Sequence, residues 1–326
     1  MRNEDQKHIA ELDAAIRLDS NNAAMYYNRG VAYWNLAQYE RALSDYTEAI
    51  RLKPDDADAY YNRGACYLSL GQVEWAITDY TEVIRLKPDD AGAYIVRGLC
   101  YDNLRQFARA IPDFDTAIRL NPDNAAAYYW RGHAYYRLGQ FARAIPNFDT
   151  AIRLNPDNAT AYYGRGIAYR DLEDYDRAIA DFDAAIRLKP DNADAYHNRG
   201  TAYDKLGLHE RAITDYTEAI RLKPDNATAY YGRGFTYSNL GENERAITDY
   251  TEAIRLKPNE ATAFYNRGTA YDKLGLHERA ITDYTEAIRL KPDNATAYYG
   301  RGFAYNKLEQ HSRAEADFDM AKRLEP

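Results

Sequence analysis

The chain has 326 residues, with 42 Lys and Arg against 50 Asp and Glu, giving a formal charge of −8. That acidic balance argues against a nucleic-acid partner, whose phosphate counterions must be displaced by Lys and Arg. No apolar run is long enough to span a membrane, and the polar stretch from Met1 to Ala10 lacks the apolar core of a signal peptide, so the cytoplasm is the default compartment.

The first predicted element, within residues 1–22, is a helix with Ile9, Leu12, Ala15, Ile16 and Leu18 on one stripe. The same stripe returns one period later as Leu43, Tyr46, Ala49, Ile50 and Leu52, so 1–22 reads as a half repeat that caps the N-terminal end of an array. From there the chain keeps one ruler. Nine of its eleven prolines (Pro54, Pro88, Pro122, Pro156, Pro190, Pro224, Pro258, Pro292 and Pro326) fall at one constant spacing of 34. A period of this size marks a supersecondary unit that buries its apolar face only against its neighbours.

Residues 57–90 stand for all the repeats. Tyr60, Gly64 and Tyr67 share one face of a first helix, with Asp55 and Asp56 placed to cap it and Gly71 to end it. Ala76, Ile77, Tyr80, Val83 and Ile84 line a second helix, with Arg85 and Lys87 in or just beyond its last turn and Pro88 after it. Small residues mark close helix approach, and the tyrosines fill the space around them. Pro112 and Pro146 fall inside second helices and are expected to tilt them slightly. Cys66 and Cys100 occupy a place that holds Ala or Thr in the other repeats, so both read as small core residues.

These residues resemble the tetratricopeptide repeat family over 23–326, as nine tandem repeats: 23–56, 57–90, 91–124, 125–158, 159–192, 193–226, 227–260, 261–294 and 295–326. The resemblance implies an all-α, right-handed superhelical solenoid of antiparallel helix pairs, with the first helices lining a concave groove. It also implies a non-catalytic scaffold that binds an extended or helical protein segment there. At two places where the other repeats carry Leu or Ile, the last has Glu315 and Lys322, which reads as a solvated end of the array.

Recurrent charges read as scaffold. An Arg in every first helix (Arg63, for example) accompanies an acid in the second (Asp79), with Asn147 the exception, so Arg–Asp pairs are expected to tie the helices together. The six histidines form no ligand spacing, and no nucleophile or phosphate-loop motif occurs, so neither a metal, a cofactor nor an enzyme is expected.

Carried onto the groove, the resemblance selects Tyr27, Tyr61, Tyr163, Tyr231, Tyr265 and Tyr299, with Tyr129 completing seven tyrosines outside the three core aromatic places, which either meet a ligand, pack partly between neighbouring first helices, or do both. The next place along reads Asn28, Asn62, Val96, Trp130, Asn198 and Asn266, with glycine at 164, 232 and 300, an interrupted asparagine ladder. Val96, Trp130 and His133 make the third and fourth repeats the most distinctive stretch, suited to an apolar side chain. The lysine places of the clamp that grips acidic chaperone tails hold Tyr27 and Tyr61, which disfavours that ligand. Groove charges nearly balance, Asp58, Asp102, Asp171, Asp194, Asp204 and Asp272 against Arg137, Arg170, Lys205, Lys273 and Lys307.

A protein or peptide partner, no nucleic acid, no membrane, and a monomer or weak homo-oligomer are the expectations. The alternatives are a self-assembling architectural solenoid or a designed, consensus-like array without a native ligand. Residues 201–226 and 269–294 are identical, so the array grew partly by copying pairs of repeats.

Overall fold

A computed structural model describes residues 2–324. The described residues contain helices and turns only, and the helix contacts divide the chain into two compact units, Met1–Gly164 and Arg165–Pro326. In the N-terminal unit α1 (Arg2–Leu18) precedes four helix pairs: α2 (Ala23–Asn35) with α3 (Tyr39–Leu52), α4 (Ala57–Ser69) with α5 (Val73–Leu86), α6 (Ala91–Asn103) with α7 (Phe107–Leu120), and α8 (Ala125–Arg137) with α9 (Phe141–Leu154). The division between units falls inside α10 (Ala159–Asp171). In the C-terminal unit α11 (Tyr175–Leu188) precedes α12 (Ala193–Lys205) with α13 (His209–Leu222), α14 (Ala227–Asn239) with α15 (Asn243–Leu256), α16 (Ala261–Lys273) with α17 (His277–Leu290), and α18 (Ala295–Lys307) with α19 (His311–Leu324). Pro326, the last mark on the ruler, lies outside the described residues.

Local chemistry sets these boundaries. Asp56 accepts from the Ala59 amide at 3.2 Å, and Asp90 caps α6 in the same way, each satisfying a free N–H at a helix start. Gly71, just past α4, has φ +72°, and the Gln72 amide reaches back to the Tyr67 carbonyl at 2.8 Å. That is the reversal a short turn between antiparallel helices needs. The same turn place holds Ala37, Arg105, Glu173 and Glu309 in other repeats, all at positive φ, where a side chain costs about 1 kcal/mol.

Packing follows the pattern of small and aromatic residues. Tyr80, 1% exposed, lays its ring across Gly64, and a Cβ at Gly98 would stand 2.7 Å from the Phe114 ring. Burying each such ring stabilises the chain by about 1.5–3 kcal/mol. Cys66 and Cys100 are buried free thiols, as expected of core residues, and burial pushes each up to about 12. Helices α7 and α9 run through Pro112 and Pro146.

The Arg–Asp pairs form as expected and do more. Arg63 donates from Nε and Nη2 to the two oxygens of Asp79 at 2.9 and 2.7 Å, and the same fork joins Arg233 to Asp249. The third nitrogen reaches the second helix of the preceding repeat: Arg97 Nη1 to Thr81 at 3.1 Å, Arg233 Nη1 to Thr217 at 3.0 Å, and Arg199 Nη1 to Asp183 at 2.5 Å. Each guanidinium therefore staples its own pair and the junction behind it. Where Asn147 replaces the acid, Arg131 keeps a single bond to it and an ion pair with Asp115.

Candidate functional site

Successive first helices touch one another, α2 with α4 and α6 with α8 in one unit, and α12 with α14, α14 with α16 and α16 with α18 in the other. Each unit thus presents a first-helix face, and the expected site residues lie along it.

The tyrosine row is half-buried, and its members pack on core rings. Tyr27 rests on Tyr46 with ring centroids 5.8 Å apart, Tyr61 on Tyr80 at 5.3 Å, and Tyr129 on Phe148 at 5.9 Å. In the C-terminal unit Tyr231 rests on Tyr250 at 5.8 Å, Tyr265 on Tyr284 at 5.7 Å and Tyr299 on Phe318 at 6.1 Å. Tyr163 is likewise half-buried. Each of these rings is thus partly exposed and partly packed.

The asparagines behave unequally. Asn28 is exposed. Asn62 Nδ2 donates to the Tyr27 hydroxyl at 2.9 Å, and Asn266 Nδ2 donates to Tyr231 at 2.8 Å, so part of each amide is spent inside the protein. Asn198 is buried at 6% exposure, with Nδ2 bonded to the Asp194 carbonyl and Oδ1 accepting from Arg170, so it is withdrawn from the face. Where this place holds glycine, a ring of the preceding repeat lies close over it. A Cβ at Gly232 or Gly300 would stand 2.8 Å from the ring of Tyr216 or Tyr284 in the repeat before.

The third and fourth repeats do assemble a distinct cluster. Trp130 packs edge-on to Tyr129 and His133, with centroids 5.0 and 5.5 Å away. His133 Nδ1 lies 2.9 Å from Asp102 Oδ1, and Arg137 stands over the Phe107 ring at 4.6 Å. Val96, by contrast, is half-buried against the core around Val73 and Tyr80 and belongs more to packing than to the face.

Charge is redistributed by the fold. Asp58 pairs with Lys87, and Asp171 with Arg170. Asp204 accepts from Thr236 at 2.9 Å and from His209 at 3.0 Å, and Asp272 from His277 at 2.7 Å. Lys205 and Lys273 are exposed and make no ion pair among the described residues. His197 is held below its ordinary pKa, first by burial and then by Arg170, and its Nδ1 is buried without a hydrogen-bond partner. Among the described residues no group of His, Cys, Asp and Glu could hold a metal, and no helix is long and apolar enough to cross a membrane.

Comparison with known proteins agrees with this architecture. Residues 27–91 and 131–193 match one family model described as tetratricopeptide repeat, and residues 182–214 match another of the same description. Residues 106–139, 205–241, 239–275 and 273–308 match a model described as TPR repeat. No curated protein matches the chain. Among solved structures, YrrB, described as a TPR protein with an unusual peptide-binding site, is 29% identical with a TM-score of 0.50, covering 56% of this chain and 95% of its own. MamA (residues 41 to the end) from Desulfovibrio magneticus RS-1 is 25% identical with a TM-score of 0.50, covering 52% and 96%. A tetratricopeptide repeat protein from Parabacteroides merdae ATCC 43184 shares the fold at 19% identity, with a TM-score of 0.57 over 77% of this chain and 99% of its own.

Proposed function

The chain belongs to the tetratricopeptide repeat family, and from that premise we propose that it is a non-catalytic scaffold whose first-helix faces bind a segment of another protein. The observation that carries this reading is the row of half-buried tyrosines, each anchored on a core ring and still partly exposed. A ring already fixed by packing loses little freedom when a ligand covers it, and its apolar body with a polar tip suits protein recognition. The peptide-binding site described for YrrB lends the reading support by similarity.

The ligand-facing set is Tyr27, Asn28, Tyr61, Trp130, His133, Tyr231, Tyr265 and Tyr299, with Asn62 and Asn266 as positioning partners of the tyrosines before them. Capture of partners from native lysate by wild type, by an Asn28→Arg variant and by a Trp130→Phe variant tests it, since Asn28 is exposed and Phe keeps a ring against the core around Tyr101 and Phe114. Loss of captured proteins from either variant, with its helix content intact by circular dichroism, is the expected result. Retention of every one would remove the N-terminal face from the function. Light scattering in parallel decides the architectural alternative: a mass that grows with concentration would favour self-assembly.

A further inference from the structure

The third residue of the second helix is Arg in eight repeats and Trp75 in the other. Each of those arginines lays its guanidinium over the tyrosine eight residues earlier, from 3.9 Å at Arg245 over Tyr237 to 5.7 Å at Arg211 over Tyr203. In six repeats the same guanidinium also bonds the side chain three residues before it, as Arg109 does Gln106 at 2.7 Å. In the second repeat Trp75 takes over the ring contact, lying near-parallel to Tyr67 with centroids 6.1 Å apart and planes at 27°.

The groups that surround the arginine elsewhere are left behind. Gln72, the counterpart of Gln106, is exposed, and its side chain has no hydrogen bond among the described residues. Glu74 is exposed with no ion pair among them. Trp75 itself is 61% exposed, more than any other Trp or Phe among the described residues, whereas Trp34 and Trp130 are half-buried. The second repeat is also the most acidic, since residues 57–90 carry three cations and six acids, the largest excess of acid in any repeat. Arg41 and Arg109, at the same place on either side, are each held on their own tyrosine and glutamine.

An indole face attracts a cation, and a guanidinium is the cation that also stacks flat on a ring while donating to nearby oxygens. Trp is enriched among the residues that carry binding energy, and one already held against a neighbouring ring loses little freedom on contact. We propose that Trp75 is a docking point for an arginine side chain of a protein partner, stacked on the exposed part of the indole, with Glu74 as its counter-charge and the Gln72 side-chain oxygen as an acceptor. The partner thus returns the guanidinium that this repeat alone lacks. The point lies on α5, apart from the first-helix face, and does not depend on what that face binds.

Selection from a displayed library of random peptides on the full chain tests the inference, with Trp75→Arg as the subtracting bait because it restores the residue of the other eight repeats. Peptides that bind wild type and not Trp75→Arg are expected to carry an arginine. Their affinity is expected to fall about tenfold on Trp75→Leu, or when that arginine is replaced by citrulline, its neutral isostere, and about threefold on Glu74→Gln. Peptides that bind as well with citrulline would overturn the proposal by showing a purely apolar contact. A library that yields only peptides binding both baits alike would overturn it too, and would leave the first-helix reading standing. Sedimentation of wild type beside Trp75→Arg gives the remaining outcome: a mass that grows with concentration in wild type alone would assign the indole to a second copy of this chain and overturn the arginine docking point.

Discussion

The two compact units use one repeat to build different faces. In the N-terminal unit Trp130, His133, Asp102 and Phe107 make a single aromatic cluster found once. In the C-terminal unit the bond between Tyr216 and Thr201 is repeated by Tyr284 and Thr269. The contrast shows that a repeat array diversifies its surface by departing from the consensus in one place, while it keeps copies of one contact in another.

The largest contrast to break lies in the staples. Arg233→Ala would leave Asp249 buried and unpaired, and is expected to cost about 3–5 kcal/mol. Arg131→Ala, facing the neutral Asn147, is expected to cost only about 1 kcal/mol. Urea unfolding of the two variants followed by circular dichroism compares them; equal losses would show that the acid contributes nothing beyond the bonds it accepts.

Next comes the contact of Tyr216 with Gly232. Gly232→Ala pushes the Tyr216 ring off its seat and is expected to destabilise the array by about 1–3 kcal/mol, with increased amide exchange in α13 and α14. Ala at Gly71, which touches nothing within 4 Å, would act only through its positive φ.

A smaller effect distinguishes His197 from its counterpart Tyr265 by pH. His197 binds protons less readily folded than unfolded, so stability is expected to fall as pH drops below about 6.5, the unfolded value, and to level off below the folded one. His197→Tyr, which copies Tyr265, should flatten that part of the profile. An unchanged slope between wild type and variant would assign the acid sensitivity to other groups.

The smallest change is a gain. Arg105→Gly and Glu173→Gly, one in each unit, relieve a left-handed residue and are expected to add about 1 kcal/mol each, read as a higher urea midpoint.

Most of the fold was legible because the apolar and proline pattern repeats with one period, and the Arg–Asp fork was legible because Arg63 and Asp79 recur together. The junction half of the staple was not, since Thr81, Thr217 and Asp183 look like ordinary surface residues until Arg97, Arg233 and Arg199 reach them. The face was read less well. Tyr27 and Asn62 were assigned separate ligand roles, yet a Tyr followed 35 places later by an Asn, seen again at Tyr231 and Asn266, is the signal of their bond. Counting charges gave a balanced groove; His209 and His277, each five residues after an Asp, were the clue that those carboxylates are already engaged. Sequence lists charges, whereas the fold decides which of them a ligand meets.

The staple also bears on how such a chain can lengthen. The guanidinium that looks back across each junction donates either to a hydroxyl, as at Thr217, or to a carboxylate, as at Asp183. A repeat therefore carries its own half of a universal coupling, and a copied pair inserted anywhere finds a partner on both sides. The identical stretches 201–226 and 269–294 are the trace that unequal crossing-over would leave in an array whose joints are interchangeable.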